Sequence, residues 1–404
     1  GTMIESMAAP APRSATTVHG AVLITAAILP VMAIVSLVPV MPLLLVEFAD
    51  VAGNEFLVPI ALTIPALCVA LFSPLAGWLS DRVGRKLVLI TALLLYAGLG
   101  LLPFFLTDLK QIIVSRFGLG ITEAAIMTVA TAMIGDYFRG EARQRWIALQ
   151  VGAISIAAII LIAVGGVLGE ALGSRGPFLL YLLALPVAAL VAAVLFEPAV
   201  HVREPDADER FPFGKVLPLA AITLGAAILF YTIIVQLGPL LTDVGITSPA
   251  VIGATGAAAN VGHVIGSFVF HRLRSWSGST LLLVGFGVAA VGYLGIGLSE
   301  TFPPRAASAF IASVGAGMLL PTLLAWMLHE LPGPVRGRGT GLWTGTFFLG
   351  QFVAPIVAVA LSRQLSDDLT NVVLLYAGLA AVAALTSAFF ARRSSRRSQA
   401  CVGS

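Results

Sequence analysis

In the segment SRFGLGITEAA a guanidinium and a carboxyl, Arg116 and Glu123, stand seven residues apart among small and apolar neighbours. On a helix that spacing is two turns, about 10 Å along the axis, so both side chains share a face. A charged side chain at the centre of a bilayer costs at least ~2.5–3.5 kcal/mol, so each must face a cavity or a partner and not lipid. A carboxyl in that position can take up and release a proton, which makes Glu123 the leading residue for proton coupling, with Arg116 beside it. The alternative is an Arg–Glu or Arg–backbone bond that only holds helices together. His263 lies three residues after Asn260 and so on one helical face with it, and is either a second proton site or a satisfied core histidine. Gln236 and Gln351 are polar positions inside apolar runs, and with Asn260 and His263 they are expected to line a cavity. Tyr231, Trp326 and Trp343 either stack on a cargo there or serve as packing and interface anchors.

The elements that carry these residues are set by composition. Of 404 residues 58% are hydrophobic and 11% charged, whereas a soluble domain carries roughly a quarter charged residues to coat its exterior. The solvent is therefore a bilayer. A spanning helix needs about 20 apolar residues, and twelve such runs occur, at about 20–46, 56–79, 86–106, 110–137, 144–172, 177–196, 215–242, 249–271, 280–299, 305–331, 339–363 and 371–390. They are apolar on every face, so alternating β-barrel segments are absent. The sequence predicts an all-α membrane protein of twelve transmembrane helices, with Gly238, Pro239 and Pro355 interrupting helices as gating hinges.

Orientation follows from the loops. Of the 23 Lys and Arg, 18 fall on the side that carries both chain ends, and only Lys110, Arg175, Arg305 and Arg363 on the other. The positive-inside rule then puts both termini in the cytoplasm and the protein in the cell (inner) membrane. The longest polar stretch, residues 197–214, reads as a cytoplasmic linker between two six-helix halves, 20–196 and 215–390, flanked by a cytoplasmic N-terminal segment 1–19 and a basic cytoplasmic tail 391–404. The halves look alike: SRFGLGITEAA followed by Arg143 and Arg145 has its counterpart in ASVGAGMLLPT followed by Arg336 and Arg338. Such duplication is a transporter feature, with the substrate site between the halves near the midplane.

The strongest local signal is GWLSDRVGRK, Gly77 to Lys86, in the short loop after the second helix. Gly77 would permit close helix approach, Gly84 a turn that a side chain obstructs, and Asp81 needs Arg82, Arg85 or a helix N-terminus as counter-charge. A charge cluster there can act as a latch, or its cations can merely enforce topology. The pattern G-x-x-x-D-R-x-G-R-K, with twelve helices in a 6+6 arrangement, resembles the major facilitator superfamily over roughly residues 20–390. The resemblance implies two pseudo-symmetric halves and a conformational latch in which Asp81 and Arg85 join Asp136 at the end of the fourth helix and touch the eleventh to hold the outward-facing state. It also implies that Arg116, in the R-x-x-x-G motif, serves proton transfer or substrate contact. The second-half counterpart SFVFHRLRSW has His271 in the place of Asp81, implying a weaker or pH-dependent latch. Drug/proton antiporters of the family carry Gly-Pro and then Gly-Gly in the fifth helix; here Gly165 and Gly166 are kept, but Ile160 and Leu161 replace the first pair. The eleventh helix keeps a G-Q-x-x-x-P pattern. The segment GITEAAIMTVATAMIGDYF is similar to the fourth helix of spinster-type lipid exporters.

The remaining function classes fall away. Five His, at 19, 201, 263, 271 and 329, are dispersed without ligand spacing, so neither a metal site nor a catalytic constellation is expected and the chain is not an enzyme. No G-x-x-x-x-G-K-[ST] loop is present, so no nucleotide cofactor is expected and the proton gradient is the energy source. Small net charge, +3, argues against nucleic acid; the partners are a small-molecule substrate, protons and membrane lipids, and the chain is expected to work as a monomer. The leading reading is proton-coupled export (antiport) of an amphipathic or weakly basic organic compound by alternating access. The alternatives are proton-coupled uptake of a small metabolite and export of a lysolipid-like substrate.

Overall fold

The computed structural model describes residues 13–199 and 210–402, with side chains through 397. Most of the N-terminal segment 1–19, the middle of the 197–214 linker with His201 and Arg203, and the end of the 391–404 tail lie outside the described residues. Twelve helices among the described residues are long and apolar enough to cross a membrane. They are α1 Thr17–Glu47, α2 Asn54–Val83, α3 Arg85–Phe104, α4 Leu109–Tyr137, α5 Glu141–Leu172 and α6 Gly176–Val194. The second six are α7 Phe213–Val235, α8 Pro249–Arg272, α9 Gly278–Leu298, α10 Phe302–Glu330, α11 Gly333–Gln364 and α12 Leu369–Arg397. In hydrocarbon every peptide group must find a partner within the protein, and a helix does so within its own segment.

The departures from the expected runs have local causes. α1 is not continuous: Pro30 and Pro39 each start a short, tighter turn, at Leu29–Val31 and Val38–Val40, because a proline has no N–H to give to the preceding turn. α7 ends at Val235, and a short helix Leu237–Thr242 follows after Gln236; Pro239 cannot donate to the carbonyl of Val235, so the break falls four residues before it. The basic tail is not a separate segment, since the helix of α12 continues through Val402 with no proline or glycine to stop it.

Two buried apolar clusters organise the bundle. One runs from Val22 to Leu195 and takes in Tyr231, Ile234, Val235 and Ala354 from the second half of the chain; the other runs from Val216 to Ala384. The end of the bundle carrying Arg82, Lys86, Arg143 and Arg272 is the basic end. At the opposite end the halves close on each other. A Cβ on Gly166 of α5 would lie 2.6 Å from the carbonyl oxygen of Pro249 and 3.0 Å from the Cα of Gly253, on α8. Close by, Glu170 accepts a 2.7 Å hydrogen bond from Ser248, and Arg363 of α11 pairs with Glu55 of α2 at 2.5 Å.

Candidate functional site

Between the halves lies a cavity of about 490 Å³. Its lining comes from the middle of α1 and α4, from Val151–Ala158 of α5, from Tyr231 and its neighbours on α7, and from α8, α10 and α11 between Asn260 and Gln351. On α5, α8, α10 and α11 these positions lie from mid-membrane toward the basic end. With the opposite end closed, the cavity belongs to a state that faces the basic end.

Of the residues predicted to line a cavity, Glu123, Tyr231, Asn260, His263, Trp343 and Gln351 do so. Gln236 and Trp326 do not. Gln236 is buried at the α7 break with its Nε2 unpartnered, and Trp326 packs where a Cβ on Gly278 would stand, 2.6 Å from its ring. Helical spacing puts the lining residues on one face of each helix: Trp343, Phe347 and Gln351 recur every four residues on α11, and Asn260, His263 and Ser267 at three and four on α8. The aromatic side chains form one wall. Trp343 lies parallel to Phe347 with ring centroids 5.5 Å apart, Phe347 meets Tyr231 at 5.2 Å, and Phe230 stacks on the His263 imidazole at 3.7 Å. Phe230 and Phe347 went unread in the sequence; the four-residue spacing of Phe347 from Trp343 and Gln351 was the available signal.

Glu123 is buried, its Oε2 has no hydrogen-bond partner, and among the described lining residues it is the one charged side chain. Arg116 shares its helix face but is not hydrogen-bonded to it. The Arg116 Nε donates to the Ala61 carbonyl at 2.8 Å, Nη1 to the Tyr181 hydroxyl at 2.5 Å and Nη2 to Leu62 at 3.3 Å and to Ala33. These acceptors have a cause in the sequence. Pro65 has no N–H for the Ala61 carbonyl four residues earlier, and the tight winding of α1 sends the Leu37 N–H to Ile34 and leaves the Ala33 carbonyl over. The Arg116 fork thus fastens α4 to α1, α2 and α6, and Arg116 lines no part of the large cavity. Of the two sequence alternatives, the geometry is that of the Arg–backbone bond.

The loop cluster between α2 and α3 is built as an interlocked unit. Arg85 pairs with Asp136 at 2.5 Å and with Asp81 at 3.0 Å, and donates to Ser80 at 2.8 Å. Arg82 instead lies over the Trp78 ring, 4.7 Å from its centroid. Gly84 has φ 115° and ψ 140°, a region that a side chain disfavours. Gly77 is not a forced close approach: a Cβ there would stand 3.5 Å from Thr128, an ordinary contact. The sequence reading missed Glu197, whose carboxylate accepts the backbone N–H groups of Arg85 at 2.8 Å and Lys86 at 2.9 Å and so caps α3. The side-chain partners of Arg85 named here all belong to the first six-helix half, and the backbone partner Glu197 stands at the start of the linker. In the second-half counterpart His271 is exposed and Arg272 lies over the Phe268 ring.

Comparison with known proteins follows the same lines. Residues 23–299 and 219–401 match the Major Facilitator Superfamily. The chain is 28% identical to the tetracycline resistance protein, class B, of Escherichia coli, over 78% of its own length and 81% of the relative's. It is 27% identical to a gentisate transporter of Corynebacterium glutamicum, over 70% and 67%. A bacterial homologue of the human lysosomal transporter spinster, solved inward-facing and occupied, superposes with TM-score 0.72 at 15% identity, covering 95% of this chain and 98% of that one; at that identity the likeness is one of fold.

Proposed function

The chain belongs to the major facilitator superfamily and is a multi-pass membrane transporter, not an enzyme; from that premise we propose that it exports a small, amphipathic, weakly basic organic compound in exchange for protons. The observation that carries this is the cavity: aromatic and aliphatic walls with a single carboxyl, Glu123, as the charged group. A carboxyl favours a cationic cargo and disfavours an anion, since no Lys or Arg among the described lining residues offers a counter-charge. This supports a cargo of the kind named for the tetracycline resistance relative over the acid anion named for the gentisate transporter. The carboxyl can hold either the proton or the cationic cargo, and competition for one group is sufficient for antiport. The excess of Lys and Arg at the basic end supports both termini in the cytoplasm, so the state described is open to the cytoplasm and ready to load. No cofactor is invoked; the proton gradient supplies the energy.

The test is transport in proteoliposomes under an imposed pH gradient, with tetracycline, ethidium and gentisate as cargoes. Gradient-driven accumulation of tetracycline or ethidium is expected, with gentisate left behind. Glu123→Gln, which keeps size but cannot ionise, is expected to bring accumulation to the level of empty liposomes while the protein stays folded. Gradient-driven movement of gentisate alone, or unchanged accumulation by the Gln variant, would sink the reading.

A further inference from the structure

Three polar atoms on cavity-lining residues are buried without a hydrogen-bond partner on the second-half wall: Asn260 Nδ2, His263 Nε2 and Trp343 Nε1. Opposite them, on α4, is the unpartnered Glu123 Oε2. Leaving such a group unpaired when buried is costly, so a cargo that supplies the missing partners recovers that cost on binding. The two walls ask for different chemistry. An amide nitrogen and an indole N–H only donate, so Asn260 and Trp343 require an acceptor. The Nδ1 of His263 faces the Asn260 Oδ1 at 3.4 Å; that oxygen only accepts, so Nδ1 is the donor in this contact. Among the described lining residues the second-half wall carries no Lys, Arg, Asp or Glu, and the carboxyl stands alone on the first-half wall. Between the two, the stacked rings of Trp343 and Phe347 present a flat apolar face.

We propose that the site selects cargo with two distinct poles on an aromatic body: a protonated amine toward Glu123, and a neutral hydrogen-bond acceptor such as a carbonyl oxygen toward Asn260 and Trp343. This rests on the transporter reading above and narrows its substrate class from basic amphiphiles to basic aromatic carbonyl compounds. Such a cargo bridges the halves, since the amine pole is read by α4 and the acceptor pole by α8 and α11. A molecule with only one pole is held by one wall.

The experiment is calorimetric titration of the purified protein in nanodiscs, without any gradient, so that binding is read apart from coupling. The probes are procainamide, which has both poles; 4-(2-diethylaminoethyl)aniline, which lacks the carbonyl; and 4-aminobenzamide, which lacks the amine. Procainamide is expected to bind at least about fivefold more tightly than either, the worth of one ordinary hydrogen bond. Trp343→Phe, which keeps the ring stack and loses the N–H, and Asn260→Leu should each erase the advantage over the carbonyl-free amine while leaving that amine's own affinity within twofold. Glu123→Gln should erase the advantage over 4-aminobenzamide. Equal affinity for procainamide and the carbonyl-free amine, equal weakening of both by Trp343→Phe, or binding of none of the three would overturn the proposal. If the binding pattern holds while gradient-driven transport fails, only the antiport reading falls.

Discussion

The guanidinium of Arg116 supplies hydrogen bonds that two neighbouring helices cannot supply to their own carbonyls, and this fixes what its loss must do. Arg116→Ala leaves the carbonyls of Ala33 and Ala61 unpaired at membrane depth, and at ~1–3 kcal/mol for each buried orphan the variant should lose roughly 3 kcal/mol or more of stability. Arg116→Lys should recover little of it, because an ammonium has no planar fork to reach several acceptors at once. If the role of the fork is to replace the N–H that Pro65 lacks, then Pro65→Ala should restore about 1 kcal/mol in the Arg116→Ala background and change the native protein by less. Unfolding midpoints in detergent for the two single variants and the double variant check this. Strict additivity would mean that the two residues do not share the Ala61 carbonyl. Glu123→Gln, by contrast, removes a charge from an unpaired position and should leave the midpoint at or above that of the native protein.

Where α2 turns into α3, geometry and charge contribute separately. Gly84 holds a backbone conformation that glycine tolerates, Glu197 caps the N-terminus of α3, and Asp81 and Asp136 both engage Arg85. The cap should be worth about 1 kcal/mol, so Glu197→Ala should lower the unfolding midpoint. Asp81 is half-exposed, and exposed pairs contribute about 0–1 kcal/mol, so Asp81→Asn should leave the midpoint nearly unchanged. If the cluster is a latch that forms and breaks in each cycle, transport should nonetheless slow at least severalfold; native turnover by Asp81→Asn in proteoliposomes would remove the latch from the mechanism. The motif was legible because its residues are contiguous and unlike anything else in an apolar chain. Glu197 was not, since 112 residues separate it from Arg85 and it opens a polar stretch that reads as solvated linker. The aromatic wall was hidden for a related reason. Phe230 and Phe347 at the cavity are the same residue type as Phe389 and Phe390, which face outward with 62% and 54% exposure, and sequence alone does not say which face is inside.

At the scale of the molecule, the spans could be read from hydropathy because the bilayer imposes one length and one composition on each, whereas the state in which the halves meet is written in backbone contacts that carry no hydropathy signal. The closed end consists of Gly166 against Pro249 and Gly253, reinforced by the Arg363–Glu55 and Glu170–Ser248 pairs. The exposed Arg363–Glu55 pair contributes at most about 1 kcal/mol, so breaking it with Arg363→Ala should move the balance of states by no more than about fivefold. The backbone contact is stricter. A leucine at position 166 would begin from a Cβ already 2.6 Å from the Pro249 carbonyl oxygen, inside any tolerable approach, and the neighbour is backbone that cannot rotate away. Gly166→Leu should therefore depopulate the state that faces the basic end and favour the one in which α5 and α8 part at the opposite end. Spin labels at Asp50→Cys and Glu300→Cys, on exposed loops of the two halves at that end, would report the change in a background lacking Cys68 and Cys401. The label separation should lengthen in Gly166→Leu and shift only modestly in Arg363→Ala. An unchanged separation in Gly166→Leu would mean that the helix contact yields without the halves moving, and that alternation is governed elsewhere in the bundle.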